Sequence, residues 1–280
     1  MGSNTQSGPT TYRDFLNEIR DTVGSVDLIL ILSVPLLLTI VLILPQSIQE
    51  ILFLDYGKPD SFSLWGSSFV HRDFTHFRNN LVSYVVTIIP VYLFFAVANE
   101  RRSFRFTFLG FLILLPPVIG LFNIAIIDQG SGAGFSGIAS ALFGFLPVSM
   151  LIFLQRKVSR NINPVHGIPL FLIAAGMIAV IYELIVFGTA VILISLIFTT
   201  IYVYEIGFQE FRNSIVELSS LKGYFELVFV ATVLFLLSPF LLFPEEVVQN
   251  GSAVNIYSHY AGFTLGFFVP TIILTIRSMR

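Results

Sequence analysis

The sequence predicts an all-α membrane protein, a polytopic helical bundle of eight spans, and three observations predict it. Mean hydropathy is +0.85 and 11% of the 280 residues are charged, where a soluble domain carries about a quarter. The apolar residues fall in blocks of about 20, the length that crosses a bilayer core as a helix. The 15 Lys and Arg are divided unequally between the segments that separate those blocks.

Taken in order, the predicted spans are 27–44, 81–97, 104–127, 136–154, 168–186, 189–203, 224–243 and 259–276. The mixed-charge stretch before them (Arg13, Asp14, Glu18, Arg20, Asp21) reads as a cytoplasmic N-terminal tail over 1–26, with one membrane domain over 27–280. No basic start or small-residue cleavage site precedes the first block, so it reads as a retained helix. Residues 168–203 as one helix would run about 54 Å, far beyond about 30 Å of hydrocarbon. Phe187-Gly188-Thr189 is the natural turn, giving a helical hairpin. With the N-terminus inside, twelve basic residues lie inside (Arg13, Arg20, Arg101, Arg102, Arg105, Arg156, Lys157, Arg160, Arg212, Lys222, Arg277, Arg280) and three outside (Lys58, Arg72, Arg78). That bias favours an even count with both termini cytoplasmic. A seven-span reading would put Arg212 and Lys222 outside. The first outer loop, 45–72, mixes apolar and polar residues and suits the membrane interface. The outer loop 244–258 is polar, with Asn250-Gly251 a flexible turn signal.

Composition also excludes functions. With no cysteine, cysteine nucleophiles, cysteine zinc sites and disulfides are ruled out. There is no basic stripe for nucleic acid. No cofactor or metal is expected, since His71 and His76 are five apart and miss the two-histidine helix spacing of zinc proteases.

Intramembrane polar groups are costly and mark function by default. Three clusters stand out, at the outer ends of the second, fourth and eighth spans, all of which run inward. His76 and Asn80 share a helix face at i, i+4, with His71 just before them. Gly130-Ser131-Gly132-Ala133-Gly134-Phe135-Ser136-Gly137 is a glycine-rich loop that delivers a serine to a helix start. His259 opens the last span, followed by Gly262 and Gly266 on one face, a spacing that lets membrane helices pack closely. Gly137, Ala141 and Gly144 supply small residues on the serine helix. Each cluster alone also has a purely structural reading: polar residues at an interface, an N-cap serine, a histidine snorkelling to the surface. Together they place a serine and an imidazole at one depth on helices able to touch, as an activated serine requires.

These residues resemble the rhomboid family of intramembrane serine proteases. The resemblance lies in His71-x4-His76-x3-Asn80, in Gly134-Phe135-Ser136-Gly137 and in His259-x-x-Gly262-x-x-x-Gly266, and covers about 71–266. It implies a six-helix core with two extra spans between the serine and histidine helices. It implies Ser136 as nucleophile and His259 as base, a dyad without a carboxylate. By the same resemblance His76, Asn80, Gly134, Gly137 and the Ser136 backbone N–H line the oxyanion and substrate site. His71, Gly262 and Gly266 are structural. The implied substrates are transmembrane proteins, cleaved near the outer end of a helix in the lipid bilayer. The chain departs from the family in having Ser140 where a tyrosine commonly stacks on the catalytic histidine, and Trp65-Gly66 where a Trp-Arg pair is common. His259 is therefore expected to rest on Tyr260 or a phenylalanine. A rhomboid-like protein without activity, escorting membrane helices, is the alternative; a transporter would call for an inverted repeat and broken midplane helices, and neither is present. Glu183 reads as snorkelling, and His166, beside Pro164 and Gly167, has no partner in sequence.

Overall fold

The computed structural model describes residues 11–246, 248–249 and 252–278; Asn250-Gly251 lies outside the described residues. It is a helical bundle. The helices are α1 (Tyr12–Thr22), α2 (Ser25–Leu42), α3 (Gln46–Leu52), α4 (Ser61–Gly66), α5 (Phe74–Val97), α6 (Arg101–Ile126), α7 (Ser136–Lys157), α8 (Ile168–Ile181), α9 (Ile185–Ile206), α10 (Phe208–Ser220), α11 (Tyr224–Leu242) and α12 (Ile256–Ser278). Eight of these, α2, α5 to α9, α11 and α12, are long and apolar enough to cross a membrane. That is the pattern of an integral multi-pass membrane protein.

Two boundaries differ from the sequence reading, for identifiable reasons. The second span begins at Phe74, because the Asp73 carboxylate accepts from the His76 N–H at 2.8 Å and caps the helix there. The turn of the fifth and sixth spans falls at 182–184, with Glu183 exposed at φ 63°, and not at Phe187-Gly188-Thr189. Gly188 lies inside α9 and is used for contact: a Cβ there would sit 2.5 Å from the Gly176 carbonyl of α8.

α7 is the axis of the bundle. In its most apolar stretch 94% of residues are buried, against 11% in α9 at the periphery. α5 and α12 pack along it, and α11 and α6 close the ring. The α7–α12 seam is held at backbone distance. A Cβ on Gly262 would run into the Gly137 carbonyl, one on Gly266 into the Ala141 carbonyl, and one on Gly144 into the Phe263 carbonyl. Lipid gives helices no hydrophobic reason to associate, so close van der Waals packing of this kind carries the contact.

The end of the bundle remote from Ser136 is tied by charge. Asp27 is fully buried, receives hydrogen bonds from Arg105 Nε and, at 3.1 Å, from the Tyr92 hydroxyl. Glu100 pairs with Arg156 at 2.7 Å and Arg277 at 3.9 Å. Glu18 of α1 bonds Lys157 at 2.8 Å and the Tyr224 hydroxyl at 2.5 Å. α1 is thereby docked on the starts of α11 and the end of α7. At the other end, Leu54–Asp55 (β1) pairs antiparallel with Ser131–Gly132 (β2), joining the first loop to the glycine-rich loop. A second two-residue pair, Val248–Gln249 (β3) with Ser252–Ala253 (β4), lies before α12.

Gly266→Val should overfill the α7–α12 seam and lower stability by about 1–3 kcal/mol. Thermal unfolding in detergent measures it; an unchanged midpoint would show that the seam yields.

Candidate active site

A cavity of about 730 Å3 opens at the α7 N-terminal end of the bundle, with walls from α5, α6, α7, α11 and α12. His76, Asn80, Gly134, Ser136, Gly137 and His259 all line it. His71, Gly262 and Gly266 do not; they support it from behind.

The glycine-rich loop is set by its surroundings. The Gly134 N–H donates to the Ser67 carbonyl at 2.8 Å. Arg72 donates to the Ser131 carbonyl at 2.6 Å and to its hydroxyl at 2.7 Å. His71, 2% exposed, accepts from the Phe135 N–H through Nε2 at 3.5 Å, and its ring stands edge-on to His76 and Phe77. Gly134 has φ +119°, and a Cβ on it would lie 2.5 Å from the His76 ring. Only glycine meets both conditions. The loop thus brings the α7 start against the first turns of α5.

Ser136 is the first residue of α7 and is half-buried. Beside it the Asn80 side chain is buried with its Nδ2 unpartnered, pointing a free donor toward the Gly134 backbone, 3.4 Å from where a Cβ would stand. Ser140 donates its hydroxyl to the Ser136 carbonyl at 2.8 Å, within the helix.

His259 is supported from α11. Its Nδ1 lies 2.5 Å from the Leu242 carbonyl. Carbonyls in the last turn of a helix lack intrahelical partners and seek donors. A carbonyl only accepts, so Nδ1 carries the proton and the lone pair of the neutral ring sits on Nε2. The Phe243 ring stands edge-on to the imidazole at 6.1 Å. Of the two supports expected from the sequence it is therefore a phenylalanine; Tyr260 is exposed. Among the described residues no hydrogen bond joins Ser136 Oγ to His259. Such bonds are commonly long before substrate binds.

Asn123 of α6 escaped the sequence reading. It lines the cavity, donates from Nδ2 to the Ser258 hydroxyl at 2.8 Å and leaves Oδ1 buried without a partner. The signal was present: a lone amide in an apolar span. His166 proves to have partners, a Glu205 carboxylate at 3.9 Å and the Tyr202 ring at 4.8 Å, remote from the cavity. Among the described residues no group of three His, Asp or Glu could hold a metal.

No family model, curated protein or solved structure matches the chain.

Burial, with the nearby His76 adding to it, holds the His71 imidazole down at about 3. A histidine kept neutral in the fold gains its proton only on unfolding, so stability is present above the unfolded value near 6.5 and is lost as pH falls toward 3. From pH 7 to pH 5 this group should remove about 2 kcal/mol. His71→Gln should lose less over that range by the same amount; equal pH dependence in both proteins, followed by thermal unfolding, would refute it.

Proposed function

We propose that this protein is an intramembrane serine protease of the rhomboid kind, with Ser136 as nucleophile and His259 as general base. One observation carries the reading: Ser136 and His259 line one cavity from two helices held in backbone contact at Gly137 and Gly262. The sequence motifs and the cavity are independent arguments for the same six residues.

The chemistry follows from the groups present. Ser136 Oγ attacks the substrate carbonyl while His259 Nε2 takes its proton. The Leu242 carbonyl bonds the imidazolium at Nδ1 as charge develops there. The tetrahedral oxyanion is met by the Asn80 amide, the His76 ring and the Ser136 backbone N–H. His259 then protonates the leaving amine, and water attacks the acyl-enzyme with the same base. Helical carbonyls are already hydrogen-bonded, so a membrane-spanning substrate must unwind locally to present one. The basic-residue bias supports both termini in the cytoplasm and a cavity facing outward. α8 and α9 serve as the two extra spans. A non-catalytic helix-binding protein is favoured only by the absence, among the described residues, of a hydrogen bond between Ser136 and His259, and labelling separates the two.

A fluorophosphonate should modify wild type at Ser136, fail on Ser136→Ala and react poorly with His259→Ala. Equal labelling of all three, or of none, counts against the reading. Asn80→Ala should lower turnover of a transmembrane substrate by about 10²–10³-fold, the scale of one oxyanion donor, with thermal stability retained. Full turnover would remove Asn80 from that role.

A further inference from the structure

The α8–α9 hairpin reaches the candidate site through Tyr182. Tyr182 ends α8, and its hydroxyl donates to the Pro244 carbonyl at 3.3 Å. Two residues earlier, the Leu242 carbonyl holds His259 Nδ1. Between them Phe243 is buried, with its ring edge-on to His259 and to Phe263 and its N–H bonded to the Pro239 carbonyl at 3.0 Å. The corner 242–244 is thus gripped by the helix it ends, by the core and by Tyr182. Pro244 has no N–H with which to continue the helical bonding, so its own contribution to fixing the corner is the carbonyl that Tyr182 takes.

Tyr182 is itself well placed to act as a fixed point. Its backbone N–H bonds the Ile178 carbonyl at 3.3 Å, and the side chain packs partly buried against the core. α8 is anchored on the helix that carries His259: Phe171 stacks on Phe263 at 5.5 Å and on Phe267 at 4.8 Å. Imidazole and carbonyl are therefore referred to one rigid body, α8 with α12, although the carbonyl belongs to α11.

We propose that Tyr182 is a positioning residue for His259: through Pro244 it holds the Leu242 carbonyl where it fixes the proton on Nδ1 and leaves the Nε2 lone pair toward Ser136. Its catalytic meaning rests on the protease reading; the tautomer does not. With Ser140 offering no aromatic support, His259 is held instead by Phe243 and by the corner that Tyr182 bonds.

The test is 15N spectroscopy of histidine-labelled protein in detergent, where four histidines are resolved by substitution, combined with the rate of fluorophosphonate labelling. Wild-type His259 should show a protonated Nδ1 and an unprotonated Nε2. Tyr182→Phe keeps the ring and should populate the opposite tautomer and slow labelling about fivefold, the scale of one neutral hydrogen bond. Tyr202→Phe, on the same hairpin at the other end, should change neither. A Tyr182→Phe spectrum identical to wild type, an unchanged labelling rate, or an equal effect of Tyr202→Phe overturns the inference. A wild type that is not labelled at all counts against the protease reading alone, and the His259 spectra then decide the positioning role by themselves.

Discussion

Backbone contact between α7 and α12 is the constraint on which the rest depends. Three glycines at this seam, Gly144, Gly262 and Gly266, each face a carbonyl of the other helix with no room for a methyl group. A separation this short fixes the depth of one helix against the other to within a residue. Because Ser136 and His259 stand at the starts of these two helices, fixing the seam fixes their relation. The same approach buries α7 on all sides, which leaves α5, α6 and α11 no arrangement except a ring around it. A soluble protein could reach such closeness through hydrophobic collapse; in lipid, packing complementarity has to supply it.

Asp27 at one end of the bundle and two asparagines at the other show two treatments of a buried polar group. At the charged end Asp27 is fully enclosed, yet Arg105 and Tyr92 satisfy it. That is the behaviour of a structural group, since an enclosed carboxylate without partners would cost several kcal/mol. At the cavity end Asn80 Nδ2 and Asn123 Oδ1 are buried and have no partner. One is a donor and one an acceptor, on opposite helices flanking the α7 start. Open hydrogen-bonding capacity of both signs around a cavity suits a peptide group, which brings one of each.

Features written in single residues or whole blocks were legible in the sequence. Eight apolar blocks gave eight spans because hydrocarbon thickness dictates their length. The serine and histidine motifs gave six side chains and backbone positions that meet at one cavity, because equal depth follows from span direction. What was illegible depended on context. Gly188 looks like a chain breaker and turns out to be a packing residue, since only its neighbour Gly176 across the hairpin tells the two uses apart. α1 and α10 are amphipathic surface helices; α1 docks through Glu18 on Lys157 and α10 through Glu210, which accepts from the Ser159 hydroxyl, contacts that no local pattern announces. The Leu242 carbonyl has no sequence signature at all: any residue there offers the same oxygen.

That last point explains how His259 is oriented here without a carboxylate, as the proposed dyad requires. An aspartate behind His259 would have to be enclosed beside a ring that is itself 9% exposed. Its desolvation would cost several kcal/mol before the imidazolium formed. A helix-terminal carbonyl is neutral, already present and short of a partner. It also sits at the negative end of the α11 dipole, which would favour positive charge on the ring in the proposed mechanism. The arrangement obtains orientation and a share of charge stabilisation at little desolvation cost, provided the carbonyl stays put. It then matters that the end of α11 is held by more than α11. The residue that closes that requirement, Tyr182, belongs to a hairpin whose first helix is itself packed on α12 through Phe171.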